Sequence, residues 1–112
     1  MLALNMIHKK GYAHRDLKPD NMLLNKDRTT VKLADFGFAE NSKGKKMDLT
    51  LGTLPYFAPE LANEESYDNK VDVWAVGVIT TYLFTGDLPF NSNISEEDLL
   101  DKIRKGTPYF SR

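Results

Sequence analysis

Apolar positions along the chain fall into runs of different spacing, and each predicts a different element. Leu2, Met6 and Ile7 recur at helical spacing, with Lys9-Lys10-Gly11 behind them. That trio reads as a helix end: cations suit the negative pole of the helix, and glycine takes the left-handed conformation that follows a last turn. The segment is expected to be the tail of a helix that begins earlier. Residues 12–21 are mostly polar, and Pro19 forbids a regular helix through them. Met22-Leu23-Leu24 and Val31-Lys32-Leu33 then flank Asn25-Lys26-Asp27-Arg28, the pattern of a short β-hairpin with a polar turn.

From Asp35 to Glu60 the run is broken by Gly37, Gly44, Gly52, Pro55 and Pro59, which predicts an irregular segment. A loop of that length is uncommon unless it is functional or disordered. Val71 to Phe84 is apolar almost all round, so a helix buried on every side is expected, ended by Gly86 and Pro89. Ser95-Glu96-Glu97-Asp98 resembles a capping box ahead of Leu99, Leu100 and Ile103, and Gly106 closes that last helix.

Composition narrows the function classes. The 112 residues fit one domain, and 41 % hydrophobic with 28 % charged residues is ordinary for a soluble globular protein. Fifteen basic and sixteen acidic residues leave a net charge of −1, so no global basic field points to nucleic acid. Without cysteine there is no disulfide framework, thiolate metal site or cysteine nucleophile, which fits an intracellular, cytoplasmic or nuclear setting. The apolar stretch after Met1 lacks the basic flank of a signal peptide. Val71 to Phe84 contains Asp72 and is shorter than the roughly 20 residues a membrane span needs, so no membrane partner is expected.

The strongest chemical signal is His14-Arg15-Asp16-Leu17-Lys18-Pro19-Asp20-Asn21, an instance of H-R-D-L-x-x-x-N. Nineteen residues after Asp16 comes Asp35-Phe36-Gly37, and Ala58-Pro59-Glu60 follows further on. Taken singly, an Asp or Asn in a loop is a turn former. Three motifs in this order are another matter: here the sequence resembles the protein kinases, over essentially the whole chain.

The chemistry explains the residue types. Moving a γ-phosphoryl group is mostly positioning and charge stabilisation. A carboxylate must reach the acceptor hydroxyl to orient it and take its proton, and Asp16 is the candidate base. Lys18 can neutralise charge on the transferring phosphate. Asn21 and Asp35 offer hard oxygens to Mg²⁺ bridging the phosphates of ATP. The resemblance further implies that Leu23 forms the apolar floor under the adenine and that Ala34 lines the back of that pocket. It implies a structural His14 packed beneath Phe36, and an Asp72 that holds the catalytic-loop backbone. Trp74 is expected in the core, and His8, which has no partner motif, as a solvated helix-end residue.

Lys18-Pro19 and the run Gly52 to Glu60 resemble serine/threonine kinases, most closely calcium/calmodulin-dependent and checkpoint-type ones. Protein substrates with Ser or Thr acceptors are the implied partners. Thr53 is then expected to bond Asp16 and Lys18, and Asp20 to read a basic residue of the substrate, although Tyr82 stands where relatives often carry Glu. Arg15 implies switching by activation-loop phosphorylation, with Thr50 as acceptor for an upstream activating kinase; Asp48 is an alternative source of negative charge. The lysines of Ser42-Lys43-Gly44-Lys45-Lys46 are read as a solvated loop.

No G-x-G-x-x-G loop, V-A-I-K lysine or partner glutamate occurs in the 112 residues. The expected architecture is therefore mainly α (α+β): a partial kinase-like fold over residues 1–112, a helical C-lobe with a small β-hairpin at the active site. It lacks the ATP-clamping lobe and the C-terminal helices, so Glu60 lacks its usual Arg partner. A fragment of an active enzyme is the leading reading. A non-catalytic, truncated kinase-like binding module is the alternative.

Overall fold

The computed structural model describes residues 2–90 and 94–106, the side chain of Leu2 excepted. Helix α1 spans Leu2–Lys9 and turns Leu4 into the core. Met6, one of the helically spaced apolar residues, is 56 % exposed, because the inward face is set by Leu4 and Ile7. Gly11 ends the helix with φ +86°, as its spacing predicts, and a Cβ there would meet Asn41 Oδ1 at 2.9 Å.

Two small antiparallel pairings follow. Strands β2 (Met22–Leu24) and β3 (Val31–Leu33) form the predicted hairpin, with Leu23 opposite Lys32. Asn25 closes its turn: the side-chain oxygen accepts the amides of Thr29 and Thr30 at 2.8 and 3.0 Å. The other pair, β1 (Tyr12–Ala13) with β4 (Glu40–Asn41), was not expected, since two-residue strands carry no readable alternation. Nor is the 35–60 stretch wholly irregular. It holds β4, a bridge between Met47 and Tyr67, a 3₁₀ turn at Leu54–Tyr56, and the start of α2 (Pro59–Ala62).

Helix α3 (Lys70–Thr85) is the central element, stopped by Gly86 at φ +81°. It buries one stripe, Val71, Asp72, Ala75, Val78 and Ile79, rather than every side. Val73, Leu83 and Phe84 are exposed. The expectation of all-round burial fails because the other described elements pack against one face of the helix only. Helix α4 (Glu96–Lys105) forms as predicted, with the Ser95 hydroxyl accepting the Asp98 amide at 3.2 Å and Leu99 and Ile103 buried.

The core divides along α3. Val71 joins Phe57, Leu61, Tyr67, Leu99 and Ile103 in the larger cluster. Ala75 and Ile79 join Leu4 and Leu17 in the smaller one. Leu17, 1 % exposed, thereby anchors the polar stretch that follows β1, and Trp74 stacks on Phe90 at 5.9 Å as a core residue.

Candidate active site

The His14–Asn21 loop is held from below by Asp72, in the first turn of α3. Its carboxylate, 1 % exposed, accepts the His14 amide at 2.8 Å, the Arg15 amide at 2.9 Å and His8 Nε2 at 2.8 Å. A buried charge is costly unless its oxygens are satisfied, and here both are. His8 is thus no solvated residue: its ring is part of the support, reached across 64 residues of sequence.

Those bonds hold an unusual backbone. Arg15 has φ +71°, a region that costs a non-glycine residue about 1 kcal/mol or more. The turn sends His14 fully into the interior and leaves the Asp16 side chain 11 % exposed. His14 Nε2 lies 2.9 Å from the Ala34 carbonyl, and Nδ1 accepts the Asp16 amide at 3.2 Å. A carbonyl only accepts and an amide only donates, so the ring is the Nε2–H tautomer. Phe36 packs on that ring at 5.0 Å, and His14 therefore links the loop to Asp35-Phe36-Gly37.

Asp16, Lys18 and Thr53 come together. The Thr53 hydroxyl donates to Asp16 Oδ1 at 2.7 Å and accepts from Lys18 Nζ at 3.1 Å. Lys18 Nζ also stands 3.9 Å from Asp16 Oδ2. Gly52 makes this approach possible: at φ +126°, a Cβ would come 2.9 Å from the Arg15 carbonyl and 3.2 Å from the Phe57 ring. Asn21, 5 % exposed, donates from Nδ2 to the Asp16 carbonyl at 2.7 Å and accepts the Ala34 amide on its own carbonyl at 2.8 Å.

The remaining expected residues lie around this cluster. Asp35, exposed and at φ +55°, follows directly on Ala34, and its Oδ1 accepts the Gly37 amide at 3.3 Å. Leu23 is exposed on the hairpin, and Ala34 is half-buried with both backbone polar groups engaged. Asp20 is exposed beside Tyr56, whose phenol is pushed above its ordinary value by burial first, then by the charges of Asp20 and Tyr82. Thr50 is exposed and makes no side-chain bond among the described residues.

Arg15 has more partners than its motif suggests. Nε donates to the Phe38 carbonyl at 2.7 Å, Nη1 to the Tyr67 hydroxyl at 3.1 Å, and Nη1 lies 3.1 Å from Glu40 Oε2. Sequence reasoning missed Glu40, Tyr67 and His8. No local pattern marks them; only pairing with residues far along the chain does.

The Protein kinase domain family matches residues 1–110. The chain belongs to the protein kinase family. Sperm motility kinase 3A of Mus musculus is 42 % identical over 93 % of this chain and 21 % of its own length. An Aurora kinase of Candida glabrata is 45 % identical over 84 % of the chain and 26 % of its own length. A probable myosin light chain kinase of Dictyostelium discoideum is 44 % identical over 90 % and 30 % respectively. The chain thus spans about a fifth to a third of the length of these curated kinases.

Kinases of this family generally use ATP and Mg²⁺. Asn21 and Asp35 are the residues that could hold such a metal ion. With Nδ2 of Asn21 committed to Asp16, its amide presents Oδ1, and the exposed Asp35 carboxylate adds a second hard oxygen. Two protein oxygens are few, as expected where phosphates and water complete the shell. Among the described residues no helix is long and apolar enough to cross a membrane.

Proposed function

We propose that this chain is the catalytic, helical lobe of a serine/threonine protein kinase that transfers the γ-phosphate of ATP to hydroxyls of protein substrates. The observation that carries the reading is the Asp16–Thr53–Lys18 cluster. With Oδ1 occupied by the Thr53 hydroxyl, Asp16 turns Oδ2 to an acceptor hydroxyl and takes its proton as that oxygen attacks phosphorus. Lys18, tethered to Thr53, offsets charge growing on the transferred group. Asn21 and Asp35 would hold Mg²⁺, which supplies neutralisation of the phosphates. Leu23 and Ala34 are proposed to meet the adenine, and Asp20, beside Tyr56, a cationic substrate residue.

The Thr53 bridge supports the choice of Ser and Thr acceptors, because it ties the activation segment, residues 35–60, to Asp16 and Lys18 as the resemblance to serine/threonine kinases leads one to expect. Exposed apolar surface supports the reading as one lobe of a larger domain: Leu83 and Phe84 on α3, Leu23, Leu24 and Val31 on the hairpin. Trp74 Nε1, buried without a partner among the described residues, and Glu60, which has no side-chain partner there, point the same way. ATP as co-substrate supports an intracellular setting for such an enzyme.

The test is phosphotransfer by the longest polypeptide encoded with these residues, followed by phosphoamino-acid analysis of the product. Asp16→Asn should lower kcat by about a hundredfold or more. Thr53→Val should lower it by about tenfold with the KM for ATP unchanged, since it removes one charge-assisted hydrogen bond to the base. Undiminished transfer by Asp16→Asn, or product carried on tyrosine alone, refutes the reading.

A further inference from the structure

The Arg15 side chain is 7 % exposed, so its charge needs an answer close by. The Phe38 carbonyl and the Tyr67 hydroxyl solvate the guanidinium but do not neutralise it. Glu40 does, at 3.1 Å. Glu40 is not a chance neighbour: β4 places it opposite Ala13, two residues before Arg15. Tyr67, 1 % exposed, is fixed as firmly, exchanging backbone hydrogen bonds with Met47 at 2.7 and 2.9 Å and donating its hydroxyl to the Leu49 carbonyl. One network therefore runs from the catalytic loop through Arg15 to residues 38, 40, 47 and 49 of the activation segment.

The phosphate expected on Thr50 would find this cation already paired. Asp48, the other acid that the sequence offers nearby, is exposed and makes no bond to Arg15.

We propose that Glu40 and Tyr67 are positioning residues of the kinase. Glu40 permanently supplies the negative charge that a loop phosphate would bring to Arg15, so the activation segment is ordered and Asp16 aimed without phosphorylation of Thr50. A phosphate at Thr50 would have to share Arg15 with Glu40. The catalytic consequence rests on the kinase reading; the ordering of the segment does not.

The experiment uses the longest encoded polypeptide, phosphatase-treated, with two readouts: steady-state kinetics on a serine-containing protein substrate, and amide hydrogen exchange over residues 38–50. Phosphatase treatment and Thr50→Ala should leave kcat unchanged. Glu40→Gln, which keeps the shape and removes the charge, should lower kcat by about fivefold and quicken exchange by a similar factor, the scale of one half-exposed ion pair. The KM for ATP should not move, because Asn21 and Asp35 are untouched. Tyr67→Phe keeps the buried ring, loses both hydroxyl bonds, and should give the same pattern.

Loss of activity on phosphatase treatment overturns the proposal, as does unchanged exchange in both Glu40→Gln and Tyr67→Phe. Faster exchange in those variants, with no phosphotransfer by any form, supports the ordering network and refutes the kinase reading instead.

Discussion

Asp72 accepts the backbone amide of Arg15 at 2.9 Å across 57 residues of sequence, and Arg15 sits at φ +71°. The two facts are one relationship. A buried carboxylate needs donors, and a catalytic loop in a left-handed turn needs an anchor that turns its amides inward. The bond meets both needs, and through it the first turn of α3 determines where Asp16 lies.

Asp72→Asn should therefore be among the most damaging changes of similar size. One oxygen becomes an amide NH₂ that cannot accept from His8, His14 or Arg15. Leaving such buried donors unpaired costs about 2–3 kcal/mol. Urea denaturation of the longest encoded polypeptide should give a lower midpoint with an unchanged slope. A midpoint like that of the wild type would mean that the loop does not depend on Asp72.

Gly52→Ala tests the contact between the Gly52–Thr53 stretch and the His14–Asn21 loop. At φ +126° any side chain is strained, and its Cβ would press on the Arg15 carbonyl 2.9 Å away, which is backbone and cannot swing aside. We expect a loss of about 1–3 kcal/mol in stability, with kcat falling because Thr53 follows directly. Gly44→Ala is the comparison. It shares a positive φ of +78° but meets nothing within 4 Å, so it should carry the smaller stability loss and leave kcat unchanged.

Tyr56 predicts a pH dependence at the alkaline end. Burial, with the negative charges around it, raises its phenol above the ordinary 10.0. The folded chain holds that proton more tightly than the unfolded chain does. The associated stability is present in full below about pH 10 and is lost as the pH rises through the folded-state value. Thermal melts from pH 9 upward should fall less steeply in Tyr56→Phe than in the wild type; parallel curves would show that Tyr56 titrates like a free phenol.

Much of the architecture was legible because its causes are local. The Asn25–Arg28 turn between apolar triplets, Ser95 ahead of an acidic first turn, and Gly11, Gly86 and Gly106 at helix ends each act within a few residues. Both hairpin and caps form as read. The gathering of Asp16, Lys18 and Asn21 was legible for the same reason, since they are close in sequence. The face that α1 buries, the one-sided packing of α3 and the β1–β4 pair were not, because each depends on what lies opposite. Met6 and Leu4 are equally apolar; only their neighbours decide which is covered.

By itself, then, the sequence determined the type of element along most of the chain and the identity of the groups gathered near Asp16, since short-range sterics and motif spacing suffice for both. The resemblance to the kinases led to Asp72 as anchor of the loop and to Thr53 as partner of Asp16; the tertiary structure alone decided the rest of what holds those groups in place. His8 and Asp72, and Arg15 and Tyr67, meet across 64 and 52 residues respectively. Contacts that distant leave no period or spacing to read. They arise from packing around α3, where a buried charge must find donors and a buried cation must find an acid, whichever part of the chain supplies them.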